Sequence, residues 1–229
     1  MAWTWCLNER AGILKMKLID ARPILRQVEH IKFKDLYTDD DLLNIIVAKG
    51  NTGKLLERII GLPAGNSLQD FEDGELKTNK ARADGSPMET MFISQISSRV
   101  DELLNQVEFI DSWIYKKIKK LIYVPVVKES SNPYDWYFLP HYYIDISENT
   151  FLFNQLRVDF KNICNKMIND IENIDGQIHT SSGTYIQIRT KDAKPYNPIF
   201  SNKYKKFISN KNFAFYFKKE FMGFIKSIN

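Results

Sequence analysis

The stretch Asp70-Phe-Glu-Asp-Gly-Glu-Leu-Lys77 joins a turn to a charged strand, and the rest of this 229-residue chain is best understood from it. Asp73-Gly74 is typical of a tight turn, and the residues that follow predict an extended strand. Side chains alternate between the faces of a strand, so we expect Glu75 and Lys77 on one face and Leu76 in the core. Carboxylate oxygens suit Mg²⁺, and a neighbouring lysine can position a water or stabilise charge on a phosphate. The stretch therefore predicts a site that cuts a phosphodiester, although a Glu-x-Lys triplet alone is common.

Two short helices are predicted before this stretch. Asp39-Asp40-Asp41 supplies capping residues for a helix that continues through 42–47 and ends near Gly50. A second helix over 51–61 is apolar at positions 55, 56, 59 and 60 and is stopped by its terminal glycine. Glu57 lies at the margin of that apolar stripe, so it faces either solvent or a cleft.

Further elements predict a mixed α/β or α+β sheet with helices packed on it. Apolar residues recur at helical spacing from Leu156 to Ile171, which predicts one long amphipathic helix. Pro125 lies inside an apolar run and indicates an edge strand or a bulge, because proline lacks a backbone N–H. The extended segments are predicted over residues 75–79, 88–96, 120–127, 134–146, 184–191 and 213–218.

Composition limits the class of protein. With 44% apolar and 13% aromatic residues, the chain can form one sizeable domain or two small lobes that share a cleft. No apolar run of about 18 residues predicts a membrane span. Cys6 and Cys164 belong to no Cys/His cluster, which argues against a zinc site and fits a reducing cytoplasm. We expect a single domain over residues 16–229; residues 1–15 are either a non-native extension that precedes a natural start at Met16 or a flexible N-terminal one.

Positive charge is concentrated at the end of the chain. Residues 189–229 contain ten Lys or Arg residues against Asp192 and Glu220, a net +8, whereas residues 1–188 carry a net −4. Such a segment is either a solvated surface or a footprint for the phosphate backbone, since lysine and arginine gain affinity by releasing counterions from DNA.

Two strands in this region carry polar groups on one face. Tyr185, Gln187, Arg189 and Lys191 alternate with apolar residues, and so do Tyr216 and Lys218. Arginine and lysine can bond guanine, and glutamine can pair with adenine. Any one of these strands could simply have a wet face, but two of them in the most basic part of the chain favour a DNA contact over residues 184–229.

Six blocks of the sequence resemble, in order, the MutH family, which joins mismatch-repair nickases and type II restriction endonucleases that cut at GATC. The blocks lie between about residues 42 and 225. They are Lys54-Leu-Leu-Glu57, Gln69-Asp-Phe71, Glu75-Leu-Lys-Thr78, Asp84-Gly-Ser-Pro-Met-Glu-Thr-Met-Phe92, Tyr185-Ile-Gln-Ile-Arg-Thr-Lys191 and Phe215-Tyr-Phe-Lys-Lys219.

The resemblance implies a restriction-endonuclease-like fold, in which two lobes flank a DNA-binding cleft, and Mg²⁺-dependent hydrolysis of double-stranded DNA containing GATC. It implies a homodimer on the palindromic site, or a MutL partner if the protein is a repair nickase. The resemblance implies Asp70, Glu75 and Glu57 as metal ligands and Lys77 as the catalytic lysine. It implies Arg189, Lys191 and Gln187 as base-reading residues and Tyr216 as a sensor of adenine methylation. Lys218 and Lys219 would contact phosphates; the lysines of 116–120 either do the same or form a solvated helix face.

The chain departs from the family pattern in one place. The gap between Asp70 and Glu75 is shorter by two residues, so Asp73 is an alternative metal ligand, although it suits the turn better. The abundance of Lys, Asn and Ile indicates an AT-rich genome and favours a restriction enzyme over a repair nickase. A non-catalytic DNA-binding domain of the same family is the other alternative.

Overall fold

The computed structural model describes residues 16–47, 51–63 and 68–229. Residues 1–15 and the predicted helix end at Gly50 lie outside this range. In the described part, no helix is both long and apolar enough to cross a membrane.

The helices and strands alternate irregularly along the chain, as expected for a mixed fold. In chain order, the helices are α1 (Leu18–Val28), α2 (Phe33–Leu36), α3 (Asp39–Val47), α4 (Asn51–Ile60), α5 (Val100–Leu104), α6 (Trp113–Ile118), α7 (Thr150–Asn169) and α8 (Lys219–Ile228). The strands are β1 (Glu75–Ala81), β2 (Met91–Gln95), β3 (Lys120–Val127), β4 (Tyr137–Phe138), β5 (Tyr142–Asp145), β6 (Ser181–Ser182), β7 (Ile186–Thr190), β8 (Ile199–Ser201), β9 (Lys206–Ser209) and β10 (Phe213–Phe217). The predicted α+β fold with a mixed sheet is confirmed.

The first sheet separates two hydrophobic cores. Its central strand β3 pairs with β1 in parallel and with β4 and β5 in antiparallel orientation. Ile122 and Val124 of β3 pack with residues of α1–α4, whereas Leu121 and Tyr123 pack with α6, α7 and the second sheet. Residues two apart share one face of a strand, so the unbroken apolar run of β3 serves both cores.

Pro125 lies in this central strand, so the prediction of an edge or a bulge was wrong. β5 pairs with residues 120–123 of β3 and β4 pairs with residues 126–127, which leaves a gap opposite Pro125. The Pro125 carbonyl accepts a bond from Leu139 N–H at 2.9 Å on that side. The absence of an N–H at Pro125 therefore removes no hydrogen bond between strands. The predicted strand over 134–146 is likewise replaced by a turn and the short strands β4 and β5.

The second sheet has the order β2-β10-β7-β6. Its strand β7 is fixed at its start by a buried carboxylate on α7. Asp159 accepts backbone N–H bonds from Thr184 (2.9 Å), Tyr185 (2.6 Å) and Ile186 (3.1 Å). A Cβ at Gly183 would overlap this carboxylate, so only glycine fits at that position. The sheet is thus tied to the long helix at one acid.

Candidate active site and DNA-reading face

The turn before β1 sets the positions of the acids. Asp70 Oδ2 accepts the backbone N–H of Leu76 at 2.9 Å, and Phe71 N–H bonds Gly74 O at 2.9 Å. A Cβ at Gly74 would overlap Leu18 and the Lys120 carbonyl, so the chain passes through a gap that only glycine fits. Asp70 is therefore held against the first residues of the strand.

Asp73, the alternative ligand, points elsewhere. Its Oδ1 accepts the backbone N–H of Leu18 at 2.9 Å, at the first residue of α1. That N–H has no partner within its own helix, because the first four amides of any helix lack one. Asp73 thus joins the turn to α1.

Glu75 is the centre of the site. Its side chain is 2% exposed, and its Oε1 lies 2.5 Å from Lys77 Nζ and 2.7 Å from Lys117 Nζ. The other oxygen, Oε2, is buried and has no hydrogen-bond partner. Glu75 and Lys77 meet because they share one face of β1, as the alternation predicted, while Leu76 is buried in the first core.

Lys117 reaches Glu75 from the end of α6. Its Nζ also donates to the Leu68 carbonyl at 2.6 Å, which holds the segment before the turn. The sequence prediction placed the lysines of 116–120 against phosphates or on a wet helix face. Instead, Lys117 is largely buried in the acidic site and Lys120 forms an ion pair with Asp145 at 2.9 Å.

Glu57 joins the same cluster from α4. The helix ends one turn later at Gly61, whose φ of +82° is followed by a bond from Leu62 N–H to the Glu57 carbonyl at 2.9 Å. Burial, and next the charge of Asp70, raise the pKa of Glu57 above its ordinary value, while Lys77 acts against them. Glu57 therefore lies within electrostatic range of the acids around β1.

The donor set suits a hard divalent cation. Carboxylate oxygens are what such ions prefer, and the buried Oε2 of Glu75 lacks any partner. In the described residues, however, no three His, Cys, Asp or Glu side chains are gathered tightly enough to form a ready cation site. The two lysines instead neutralise Glu75.

A cleft of about 540 Å³ opens beside this cluster, between α4 and β1 on one side and β2 on the other. Its lining includes Glu57 and Glu89 and a larger number of lysines: Lys54, Lys77, Lys80, Lys128 and Lys191. Lys128 donates to Thr52 Oγ1 at 2.7 Å and lies 4.6 Å from the centre of the Trp136 ring. Burial lowers the pKa of Lys128 to about 8. A cleft with this excess of cations suits a phosphate backbone.

Arg189 and Tyr216 meet on the second sheet. The Arg189 Cζ lies 4.2 Å from the centre of the Tyr216 ring, and its Nη2 donates to Thr90 Oγ1 at 2.9 Å. Phe92 packs edge-on against the Tyr216 ring, and Gln187 of β7 is the residue that pairs with Tyr216 in the sheet. Arg189 as a whole residue is exposed. These residues form a compact surface beside Lys191 at the rim of the cleft.

Three side chains of this region differ from the predicted wet faces. Tyr216 is 6% exposed, because β10 is a central strand and Arg189 and Phe92 cover the ring. Tyr185 is buried against aromatic residues of α8. Lys218 donates to the Gly183 carbonyl at 2.9 Å, whereas Lys219 is exposed.

Sequence reasoning missed Lys117 and Lys128 as parts of the site. Lys117 precedes β3 and Lys128 follows it. Because β3 pairs in parallel with β1, Lys117 reaches the acids and Lys128 reaches the cleft, although both are forty or more residues away from Glu75 in the sequence. The one usable signal was that a dense lysine run immediately precedes the most apolar strand.

Comparison with known proteins supports a nuclease. Residues 60–152 match the family model described as MutH, DNA mismatch repair enzyme MutH, whereas no curated protein gives a significant match. The matched range contains Asp70, Glu75, Lys77 and Lys117. The MutH family implies a restriction-endonuclease-like fold and a DNA-binding nuclease, which agree with the mixed α+β architecture. The predicted resemblance is confirmed over residues 60–152, which contain three of its six blocks (69–71, 75–78 and 84–92) and less than half of the chain. The blocks that contain Glu57, Arg189 and Tyr216 lie outside the match.

Proposed function

We propose that this protein is a sequence-specific, Mg²⁺-dependent endonuclease that hydrolyses phosphodiester bonds of double-stranded DNA at GATC, as a type II restriction enzyme in the cytoplasm. The observation that carries the proposal is the buried Glu75, held by Lys77 and Lys117 next to a lysine-lined cleft. A carboxylate with an unpartnered buried oxygen is costly unless it serves a ligand.

Asp70, Glu75 and Glu57 are the residues that would hold Mg²⁺. The bond from Leu76 N–H orients the Asp70 carboxylate, and the free Oε2 of Glu75 is available to a cation. Bound Mg²⁺ supplies a Lewis acid that lowers the pKa of water and neutralises charge on the phosphate. Burial is the main cause of the raised pKa of Glu57, and repulsion from Asp70 and Glu75 adds to it; a bound cation would relieve that repulsion.

Lys77 is the residue we assign to the chemistry itself. Its ammonium group lies at the edge of the cleft, where it can orient an attacking water or stabilise the negative charge that develops on the phosphate. Lys117 is a positioning residue: it holds Glu75 and the segment at Leu68 together. Cleft lysines such as Lys54, Lys80 and Lys128 would bind the flanking phosphates.

Arg189, Lys191 and Gln187 are the residues we assign to base reading. The Tyr216 ring is covered by Arg189 and Phe92, so we assign it to holding Arg189 rather than to direct contact with the methylated adenine of GATC. Arginine and lysine suit guanine, and glutamine suits adenine. Lys218 and Lys219 would contact phosphates. A palindromic site calls for two copies of the protein related by a twofold axis, so we expect a homodimer on DNA.

A second candidate is a repair nickase activated by MutL, which is favoured by the description of the matched family. The composition rich in Lys, Asn and Ile favours restriction instead. A restriction enzyme makes double-strand breaks unaided, whereas a nickase needs its partner and prefers hemimethylated sites. A non-catalytic domain is disfavoured because Glu57, Asp70, Glu75 and Lys77 are all retained.

The test is to incubate the purified protein with Mg²⁺ and plasmids of defined adenine methylation and to map the ends. We expect double-strand ends at GATC with Mg²⁺ and none with a chelator. Asp70→Ala and Asp73→Ala form a matched pair three residues apart. Asp70→Ala should be inactive, whereas Asp73→Ala should cut, because Asp73 bonds α1. The reverse result would refute the ligand assignment, and binding without metal-dependent cutting would favour the non-catalytic domain.

A further inference from the structure

The segment that joins β7 to β10 carries a small antiparallel hairpin, β8–β9, with one face inside and one outside. Ile199 and Ile208 are buried in the core. Phe200 and Phe207 lie directly opposite each other in register, with ring centroids 5.3 Å apart in an edge-to-face arrangement. These two rings are 43% and 61% exposed. An aromatic pair is thus presented to solvent on a two-stranded ribbon.

Lysines are abundant in the sequence around this pair. Between Asp192 and Glu220 the sequence contains seven lysines and no acid. Lys205 in the turn and Lys206 at the start of β9 are exposed, and Lys203 donates to the Leu104 carbonyl at 2.6 Å. Two acids also reach the hairpin, but both are engaged by it: Asp101 bonds Ser201 and Asn202, and Glu172 accepts from the Tyr204 hydroxyl at 2.5 Å. The exposed rings therefore lie beside two exposed lysines.

The segment that carries the hairpin starts and ends near the rim of the cleft. Lys191, which lines the cleft, donates its N–H to the Asn212 carbonyl at 2.8 Å, so the segment leaves and rejoins the second sheet at one point. The hairpin is anchored, since Asp101 accepts bonds from Ser201 Oγ at 2.6 Å and Asn202 N–H at 2.8 Å. Its outer face is held in a fixed place relative to the strands assigned to base reading.

We propose that the β8–β9 hairpin is a second DNA-binding surface that contacts duplex DNA outside the recognised sequence. This rests on the proposed function, because it presumes DNA in the cleft. Lysines bind phosphates through counterion release, and a two-stranded ribbon with apolar tips can enter a groove and contact sugars and bases. A cross-strand aromatic pair also stabilises a ribbon, but that role requires neither exposed rings nor exposed lysines beside them.

The test compares binding to a GATC duplex of about one helical turn with binding to one of about three turns, in chelator so that nothing is cut. The lysine variant is Lys205→Asn with Lys206→Gln; asparagine is chosen because residue 205 has a φ of +53°. The aromatic variant is Phe200→Ser with Phe207→Ser. The control is Lys34→Gln with Ile110→Ala, two exposed residues on other elements. Thermal melting of each variant checks that it folds.

We expect the wild type to bind the long duplex at least tenfold more tightly than the short one. The lysine variant should lower the slope of log K against log salt by about 1.8 on the long duplex alone, at about 0.9 per phosphate. The aromatic variant should lose at least threefold in affinity for the long duplex and keep its affinity for the short one. The control should match the wild type on both.

Other outcomes overturn the inference. If both variants keep the wild-type ratio of affinities for the long and the short duplex, the hairpin does not contact DNA. Equal weakening on both duplexes would assign it to the site itself. A wild-type dimer that becomes monomeric in the aromatic variant, with the length dependence intact, would make the hairpin an interface between copies. The nuclease proposal fails separately: wild type that does not cut with Mg²⁺, yet shows the expected length dependence, would leave the hairpin a DNA contact.

Discussion

The acidic site around Glu75 and the proposed base-reading surface around Arg189 are built in opposite ways. Glu75 and its two lysines are largely buried, and both partners of the Glu75 carboxylate are cations. Arg189 is exposed and is held by a neutral hydroxyl and an aromatic ring. A charge in water can exchange a hydroxyl for a better partner at little cost, whereas a buried ion cannot. The contrast teaches that the acidic site is already organised in the free protein, while Arg189 on the proposed base-reading surface is free to change partners. Substitutions at the first should affect turnover, and those at the second should affect binding.

The largest effect is expected for Lys77→Ala. Loss of a group that stabilises the transition state costs about 10²–10³ in rate, so cleavage should fall by that factor while DNA affinity stays the same. Plasmid nicking and gel shift measure the two quantities. Lys80→Ala, which removes another lysine of β1 from the cleft, is the control and should weaken binding without lowering the rate at saturation. Full activity in Lys77→Ala would defeat the assignment.

The second prediction concerns the stability of the acidic site. Lys117→Met leaves Glu75 with Lys77 alone, so the free energy of unfolding should fall by about 1–3 kcal/mol. Because a cation that binds Glu75 would replace the lost charge, Mg²⁺ should raise the Tm of this variant more than that of the wild type. Lys116→Met, at the exposed neighbouring position, is the control and should match the wild type. Equal Mg²⁺ effects in all three proteins would argue against Glu75 as a ligand.

The third prediction separates base contact, proposed for Arg189, from phosphate contact, proposed for Lys219. Arg189→Ala should lose about tenfold in affinity for GATC and little for a changed sequence, since a good base contact contributes about 1–3 kcal/mol of discrimination. Lys219→Ala should weaken binding to both sequences equally and lower the salt slope by about 0.9. Competition binding with the two duplexes measures the difference. Uniform weakening by Arg189→Ala would reassign it to the phosphates.

The smallest effect is a pH dependence that comes from Lys128. Because burial lowers its pKa to about 8, this residue loses its charge as the pH rises through that value, and DNA affinity should fall a few-fold between about pH 7 and pH 9. The stability of the free protein should change in the other direction. Between about pH 8 and the ordinary lysine value the unfolded chain binds more protons, so the contribution of Lys128 to stability rises with pH. Lys128→Met should lack both trends.

The sequence predicted the parts of this molecule that depend on neighbours along the chain. Turn residues and strand alternation were enough to place Glu75 with Lys77, and glycine with helical periodicity was enough to end α4 after Glu57. The long helix α7 followed from its apolar spacing. The assigned roles of these residues stay predictions.

What the sequence did not predict depends on distant pairing. Lys117 reaches Glu75 because β3 lies parallel to β1, and no local pattern encodes that pairing. Tyr216 is covered because its strand is central in its sheet, which alternation alone does not reveal. Pro125 is tolerated in a central strand because two short strands happen to leave a gap opposite it.

The attachment of β7 to Asp159 affects how the proposed DNA sequence preference could change in evolution. Three successive amides, at Ile186 and the two residues before it, bond a single acid carried by α7, and a side chain at Gly183 would overlap that acid. A substitution in α7 that shifts this carboxylate would move Gln187 and Arg189 together, as one unit. Under the base-reading role proposed for Gln187 and Arg189, substitutions in α7 would therefore change sequence preference without altering either residue.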